Sequence, residues 1–329
     1  MAIITYKNVY LSCAASVAGK LESEGPLGTM FDSTEADSYF AKDSWEQAES
    51  EMVRRALNIL LSKAKMSDKE VELILGGDLL NQCTATGFAA MTVPSPYLGL
   101  YGACSTAAEA LMIGSLFVDS GSFSNAIALA SSHFCSSERQ FRFPLEYGNQ
   151  RPPMSQTTVT GTGAFLLRNA PAEIQITKAL PGRVKEDGIT DANNMGAAMT
   201  TAAVDTILRF FDESKEYPGD YDVIATGDLG KEGYELASEL FVKCGLDLCG
   251  KYTDCGMLIY DYNNQDVNSG GSGCGCSACV LATLFTKKLK KREIKKMLLI
   301  GTGALLSPKT VLQKQPIPSV AHLVALERV

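Results

Sequence analysis

An internal repeat is the feature of this 329-residue chain that most limits its fold. Segment 221–230 matches segment 71–80 in residue type at nearly every position. A shift of 171 residues then places Gly273-Cys-Gly-Cys-Ser-Ala on Gly102-Ala-Cys-Ser-Thr-Ala, and the apolar segment 297–301 on segment 126–130. Because three consecutive elements agree, we predict a duplication into two similar α/β halves, residues 1–170 and 171–329. The alternative is a chance similarity between ordinary βα units.

A strand-to-helix turn at Cys104 is the second informative feature. Pro94 and Pro96 exclude a regular helix before it, whereas residues 106–117 are rich in Ala, Leu and Met, which favour a helix. We therefore expect Cys104 at a helix N-terminus, where free N–H groups and the helix dipole favour a thiolate or a bound anion. The alternative is a small buried cysteine that packs a helix against a sheet.

The composition limits the kinds of partner. The chain has 37 acidic and 30 basic residues, a net charge of −7 and an isoelectric point near 5.1, which argues against a general nucleic-acid binder. Ten cysteines and no signal peptide at the N-terminus indicate a reducing compartment and free thiols. The longest uncharged run, residues 79–108, contains prolines and many polar residues, so we expect a buried core segment rather than a membrane span.

A long polar and aromatic segment, residues 131–160, separates two predicted strands. Loops of this length inside a compact domain usually have a function. This one contains His133 and three arginines, Arg139, Arg142 and Arg151. Guanidinium groups form two-point contacts with carboxylates, so the arginines are candidates for binding carboxylate groups. The alternative is that they pair with acidic residues of the same loop and hold its shape.

Duplicated α/β halves with a cysteine at the first turn resemble the thiolase fold family, which includes thiolases and ketoacyl synthases. Within that fold, the chain is similar over essentially its full length to the stage V sporulation protein AD family of spore-forming bacteria. The similarity is carried by segments 24–28, 43–46, 101–106 and, most specifically, 132–151. The resemblance implies a five-layer αβαβα architecture, with a mixed five-stranded sheet in each half, and a homodimer.

The resemblance also implies a function. Proteins of this family bind pyridine-2,6-dicarboxylic acid (dipicolinic acid), free or as its calcium chelate. They act with membrane-embedded proteins in the uptake of this compound into the developing spore. For this chain the resemblance therefore implies a peripheral position on the cytoplasmic side of the forespore or spore inner membrane.

An active condensing enzyme is the alternative function. Such an enzyme would use Cys104 as the nucleophile, assisted by His or Asn groups on two loops of its second half. The matching places in this chain offer Asp228 (or Gly227) and Ser272, and neither holds His or Asn. We therefore expect no competent acyltransferase, although His133 could serve as a base in the enzyme alternative.

The expected ligand site lies over the Cys104 turn, where helix N–H groups and at least one loop arginine would bind carboxylates. Asp228 could add an oxygen ligand if calcium accompanies the dicarboxylate. The candidate ligand-binding residues are Cys104, Ser105, His133, Arg139, Arg142, Arg151, Asp228 and Ser272.

Two further patterns each allow two interpretations. Cysteines 274, 276 and 279, with cysteines 244, 249 and 255 upstream, have a spacing that could suggest zinc. The repeat places the first three at the packed second turn, however, and no histidine is near. We therefore expect no metal and no other cofactor. The basic run 287–292 could contact an anionic membrane surface or a partner, or it could be a solvated helix end.

Overall fold

The computed structural model describes residues 3–141 and 151–329. Its strands are β1 (Ile4–Thr5), β2 (Tyr10–Ala18), β3 (Ser33–Thr34), β4 (Ile74–Gly77), β5 (Tyr97–Gly99), β6 (Asn125–Ser132), β7 (Thr157–Thr158), β8 (Gly161–Arg168), β9 (Ile174–Leu180), β10 (Val223–Thr226), β11 (Tyr252–Asp254), β12 (Gly271–Ser272), β13 (Lys296–Ala304) and β14 (Ser319–Arg328). Its helices are α1 (Lys20–Ser23), α2 (Trp45–Ala64), α3 (Thr84–Ala90), α4 (Thr106–Asp119), α5 (Phe134–Phe141), α6 (Met195–Ser214), α7 (Gly230–Lys243), α8 (Cys255–Leu258), α9 (Cys274–Val280), α10 (Thr286–Lys290) and α11 (Pro308–Leu312).

Two five-stranded arrays have the same strand order. The first is β5-β4-β6-β8-β2, and the second is β11-β10-β13-β14-β9. In each array the first three strands are parallel and the last two are antiparallel to their neighbours. A single register pair, Tyr10 with Gln175, joins the two arrays. The expected fold of two α/β halves with mixed sheets is therefore confirmed, whereas the boundary at residue 170 stays a prediction.

Three hydrophobic cores separate the layers. Helix α2 packs on the outer face of the first sheet, and α6 and α7 pack on the outer face of the second. Helices α4 and α9 contribute to the central core, which also includes residues from both sheets. Fully burying one large aliphatic side chain contributes about 1.5–3 kcal/mol, so a two-sided central core is a major source of stability.

The sequence of α2 explains its position and bounds. Ser44 caps its N-terminus by accepting a hydrogen bond from the Gln47 N–H at 3.3 Å, and Glu46 lies in the positive first turn. Buried residues recur at helical spacing along one face, including Met52, Ala56 and Leu60. The helix ends at a residue with left-handed backbone, Lys65. The cap, the acidic first turn and the apolar face together account for this 20-residue helix.

The central helices need small residues because they pack on both faces. A Cβ atom added to Gly275 would lie 2.3 Å from the Gly161 carbonyl oxygen and 2.6 Å from Ser132 Oγ. Ala107 and Ala108 of α4 are likewise buried. Small residues therefore let the central helices approach the strands closely.

The uncharged run 79–108 is only partly buried. Its residues form α3, the edge strand β5 and the approach to α4, and side chains of Phe88, Met91, Leu98 and Tyr101 are exposed. The expectation of a buried core segment is therefore wrong for the middle of the run, because β5 is the last strand of the sheet that the described residues form. In the described ranges, no helix has the length and apolar character needed to cross a bilayer.

Candidate functional site

Cys104 lies at the tight turn between β5 and α4. Ala103 has φ +51°, a left-handed conformation that costs a non-glycine residue on the order of 1 kcal/mol. The turn is held by Thr106, whose Oγ1 accepts from the Gly102 N–H at 3.1 Å and donates to the Ala103 carbonyl at 2.7 Å. Cys104 itself sits in a 3₁₀ turn, just before the first residue of α4. The predicted strand-to-helix turn is confirmed.

A cavity with about 610 Å³ of empty space, part of it open to solvent, lies over Cys104. Both halves of the chain form its walls, because the pairing of β12 with β7 brings Ser272 beside Thr158. No Lys, Arg or His among the described residues lines it. The lining residues are Leu79, Tyr101, Ala103, Cys104, Ser137, Glu138, Phe141, Thr158, Ala192, Asn193, Met195, Ser272, Ala304 and Leu306.

Asp228 connects its own loop to strands β12 and β13 beside this cavity. Its Oδ2 accepts from Ser272 Oγ at 3.0 Å and from the Gly273 N–H at 2.8 Å. Its Oδ1 accepts from Thr302 Oγ1 at 2.7 Å. Burial raises the pKa of Asp228 to about 6, although these hydrogen bonds oppose the rise. The carboxylate is thus fully buried, hydrogen-bonded through both oxygens, and does not line the cavity.

The Cys104 thiol is close to this network. Its Sγ lies 4.0 Å from Ser272 Oγ, and the residue is 6% exposed. Burial, and then the charge of Asp228, raise the pKa of Cys104 well above its ordinary value. A helix terminus favours a thiolate by only about 0.3–1 kcal/mol, less than one pKa unit. The expected thiolate is therefore not favoured here, and the thiol is neutral at pH 7.

His133 is not brought to Cys104. Its Nε2 donates to the Ser38 carbonyl at 2.8 Å, and its Nδ1 accepts from the Cys135 N–H at 3.2 Å, so the hydrogen bonds assign the Nε2-protonated tautomer. Burial lowers the pKa of His133. The ring lines a separate pocket, which it shares with Glu22. The structure thus places the alternative catalytic base away from the thiol.

Arg139 lies outside the Cys104 cavity. Its guanidinium group pairs with Glu46 and lies 5.2 Å from the ring centre of Trp45. Segment 134–141, expected to be part of a loop, is helix α5, and Arg139 is on the side of α5 that contacts α2. The carboxylate that pairs with Arg139 thus belongs to α2, whereas the alternative interpretation expected one from the same loop.

Arg151 lines the pocket of His133 rather than the cavity over Cys104. It donates to Thr157 Oγ1 at 2.7 Å and lies 6.0 Å from the ring centre of Phe134. Arg142, the third candidate arginine, lies outside the described residues. Ser105 is fully buried behind the turn and donates to the Gly102 carbonyl at 2.6 Å.

Of the eight candidate residues, Cys104 and Ser272 line the cavity and Asp228 supports Ser272 from below. The sequence analysis did not select Ser137, Glu138 or Asn193, which also line it. Helical periodicity could have indicated the first two, because residues 137, 138 and 141 have the i, i+1, i+4 spacing of one helix face. Nothing in the local sequence marks Asn193.

The thiols of the second turn point to different backbone atoms. Cys274 Sγ donates to the Ser131 carbonyl at 2.8 Å, and Cys276 Sγ lies 3.6 Å from the Gly227 carbonyl. Cys279 Sγ lies 3.9 Å from the Val17 carbonyl. Within residues 3–141 and 151–329, no group of three or more His, Cys, Asp or Glu side chains is arranged to hold a metal ion.

Comparison with known proteins shows similarity to one family over nearly the whole chain. The family described as Stage V sporulation protein AD (SpoVAD) matches residues 2–327. Stage V sporulation protein AD of Bacillus subtilis (strain 168) is 41% identical over 320 residues, which cover 97% of this chain and 94% of that protein.

Solved structures with low sequence identity share the fold. The 3-oxoacyl-(acyl carrier protein) synthase III, FabH, of Xanthomonas oryzae pv. oryzae has a TM-score of 0.64 at 13% identity, and the match covers 98% of this chain and 100% of that chain. Cerulenin-bound OleA of Xanthomonas campestris has a TM-score of 0.64 at 12% identity, with 98% of each chain covered. At these identities the similarity shows a common thiolase-like fold and nothing about activity.

Proposed function

This chain belongs to the stage V sporulation protein AD family, and from that premise we propose that it binds dipicolinic acid in the cavity over Cys104. We propose further that it acts with membrane-embedded proteins in the uptake of this compound into the developing spore, from the cytoplasmic face of the spore inner membrane. The observation that carries binding rather than catalysis is the Asp228–Ser272 hydrogen bond of 3.0 Å beside a neutral, buried thiol.

Acyl transfer is less well supported than binding. The enzyme alternative needs a reactive Cys104 and polar donors that stabilise negative charge on the substrate. Asp228 is an acceptor for three hydrogen bonds instead, and His133 donates to the Ser38 carbonyl in another pocket. A carboxylate at this position opposes the negative charge that forms on a thiolate or an oxyanion.

The described walls of the cavity favour the calcium chelate over the free dianion. Ser137, Asn193 and Ser272 provide polar groups for carboxylates, and Phe141 provides an aromatic ring that a pyridine ring can contact. Glu138 also lines the cavity and brings a carboxyl group to it. In the chelate, calcium has coordination positions open, and a carboxylate oxygen is a suitable ligand for them. We therefore propose the chelate as the ligand.

Calorimetric titration with dipicolinate tests this proposal, once with Ca²⁺ and once with a chelator that removes it. The Glu138→Gln variant should bind the calcium form roughly 10- to 150-fold more weakly, because a charge-assisted contact contributes about 1.5–3 kcal/mol. Glu239→Gln is a control, because Glu239 is 68% exposed on α7 and does not line the cavity. Absence of binding by the parent protein in both conditions would refute the proposed function.

The same titration tests whether the three candidate arginines contribute to dipicolinate binding. Arg139→Ala and Arg151→Ala should bind like the parent protein, because neither guanidinium group lines the cavity over Cys104. Arg142→Ala tests the one arginine for which the structure gives no position. A large loss of affinity in Arg151→Ala would move the proposed site toward the pocket of His133, and one in Arg139→Ala would move it toward Glu46.

We propose that the protein is a homodimer joined at the edge strand β5. Among the described strands β5 is the last of the sheet, so one side of its backbone lacks a described strand partner. Leu98 of β5 and the nearby Phe88 and Met91 are exposed. Sedimentation equilibrium measures the mass directly. A monomer at all concentrations up to about 100 μM, well above the range of stable protein interfaces, would contradict a stable dimer.

A further inference from the structure

A group of exposed cations lies near the C-terminus of the helical segment that begins beside the cavity. Residues 287–296 include seven Lys or Arg and one acid, Glu293, in a chain whose net charge is −7. Four of these cations are exposed. We call them the basic patch; its members are Lys290, Lys291, Arg292 and Lys295.

The basic patch has no internal charge compensation in the described part of the chain. None of its four side chains forms an ion pair or a side-chain hydrogen bond with a residue in the ranges 3–141 and 151–329. Other cations do so: Lys178 and Lys296 both pair with Glu216, at 2.9 and 2.8 Å. Even Lys287, at the start of the same run, donates to the Met30 carbonyl. The patch therefore presents its full charge to solvent.

The backbone that carries the basic patch is anchored in the protein core. Leu289 is fully buried and Ile294 is 8% exposed, so both anchor the turn in the central core. The backbone closes the turn, because the Lys291 N–H donates to the Lys287 carbonyl at 2.9 Å and the Arg292 N–H donates to the Leu289 carbonyl at 3.0 Å. The cations therefore extend from a fixed surface and lose little backbone entropy when they bind a partner.

The basic patch and the cavity lie at opposite ends of the strands of the second sheet. Strand β13 begins at Lys296, beside the patch, and ends at Ala304, which lines the cavity. The eight residue-to-residue steps from Lys296 to Ala304, at about 3.3 Å each, separate the two by roughly 26 Å. The helical segment from Cys274 to Lys290 also runs between these two ends, since it begins next to Ser272 and ends in the basic patch. A surface that contacts the patch therefore cannot cover the mouth of the cavity.

We propose that the basic patch docks on an anionic lipid surface, with the cavity mouth turned away from the bilayer toward the aqueous phase. Charge complementarity is the argument: a cluster of basic residues is attracted to anionic headgroups, by about fivefold in partitioning for each Lys or Arg near the surface. This inference rests on the proposed membrane association for its context. Lipid binding is measured without dicarboxylate, so it can fail or succeed independently of ligand binding.

Co-sedimentation of the full chain with vesicles tests the docking surface. The parent protein should sediment with phosphatidylcholine vesicles that contain about 30% phosphatidylglycerol, not with pure phosphatidylcholine, and salt should weaken the binding. The triple variant Lys290→Gln, Lys291→Gln, Arg292→Gln should partition about 100-fold more weakly, as three factors of about five imply.

A matched control removes three positive charges from the other end of the strands, where the cavity lies. It combines Lys231→Gln, Lys309→Gln and Lys314→Gln, three exposed lysines that follow the carboxyl ends of β10 and β13. This control should partition within about threefold of the parent protein, since these lysines lie beyond a Debye length from the bilayer. An equal loss in both triple variants would overturn the proposal, because binding would then follow net charge alone.

Tryptophan fluorescence tests the orientation. The chain has one tryptophan, Trp45, at the start of α2 and within 5.2 Å of Arg139, which follows the carboxyl end of β6. It therefore lies on the cavity side, and brominated anionic lipids should leave its fluorescence unchanged while the protein is bound. Strong quenching of Trp45, or no partitioning of the parent protein at all, would overturn the proposal.

Discussion

Asp78 and Asp228 occupy equivalent positions in the two halves, yet they hold different parts of the molecule together. Each follows a central strand, β4 or β10, and each is fully buried. Asp78 accepts from the Leu80 N–H at 2.9 Å and the Thr86 N–H at 2.7 Å, both within its own segment. Asp228 accepts instead from residues 44 to 74 positions away.

This difference shows how two similar halves can differ at equivalent positions, so that the cavity forms over the turn of the first half. Local partners make Asp78 a loop organiser in the first half. Distant partners make Asp228 a support for the floor of the cavity, where its charge also acts on Cys104. The two turns also differ in the space around them. Cys104 lines a cavity, whereas a Cβ atom added to Gly275, its equivalent in the repeat, would lie 2.3 Å from the Gly161 carbonyl oxygen.

The largest expected effect comes from giving the second turn a side chain like that of the first. Gly275→Val should lower the free energy of unfolding by about 3 kcal/mol or more, because its Cβ would overlap the Gly161 carbonyl and Ser132. Gly87→Ala is the control: no atom lies within 4 Å of the added Cβ, so stability should rise by roughly 0.5–1 kcal/mol. Urea unfolding measures both, and a fully stable Gly275→Val would break the comparison of the two turns.

A smaller effect is expected on thiol chemistry. Asp228→Asn removes a negative charge near Cys104, so the pKa of Cys104 should fall and its thiolate fraction at pH 8 should rise about tenfold for each unit of that fall. Asp78→Asn should not change this rate. Alkylation by iodoacetamide, mapped to Cys104 by mass spectrometry after circular dichroism confirms folding, compares the two variants. Equal rates in both would show that the two aspartates act alike.

The smallest effect concerns the pH dependence of stability. Burial raises the pKa of Asp228 from 3.8 to about 6, so between these values the folded state retains a proton that the unfolded state has lost. This group therefore makes stability fall as pH rises from 4 to 6. Asp228→Asn should remove about 1 kcal/mol of the change in unfolding free energy between pH 5 and pH 6, measured by urea unfolding.

Glu51→Gln is the control for the pH range from 5 to 6. Hydrogen bonds from Arg54, and further contacts with Arg55 and Lys42, lower the pKa of Glu51 to about 2. Its contribution to stability is therefore present above its unfolded pKa of 4.5 and is lost only as pH falls below that value. The change in the unfolding free energy of Glu51→Gln between pH 5 and pH 6 should therefore match that of the parent protein. A flat profile in the parent would contradict a raised pKa for Asp228.

Local patterns were enough to predict much of the fold. The Ser44 cap and the helical spacing after it predict α2, and the prolines before Cys104 followed by helix-forming residues predict the turn into α4. The repeat also anticipates the common strand order of the two halves. These predictions succeed because capping, periodicity and backbone restriction act over only a few residues.

The candidate site depends on contacts that local sequence does not encode. Asp78 and Asp228 each stand in a Gly-Asp-Leu context, so nothing local distinguishes a loop organiser from a support for the cavity. Ser272 and Thr302 come to Asp228 only because β10 pairs with β13 and β12 pairs with β7. Likewise, Arg139 and Arg151 are directed away from Cys104 by partners on other elements.

By itself, the sequence determined the class of fold, the duplication and the place of the Cys104 turn, since these follow from short-range preferences repeated twice along the chain. Only the tertiary structure decided which polar groups share the cavity and which side chains of residues 79–108 reach solvent. The physical reason is that hydrogen bonds, burial and the resulting pKa shifts depend on residues far apart in the chain. Their proximity is set by how strands pair and layers pack.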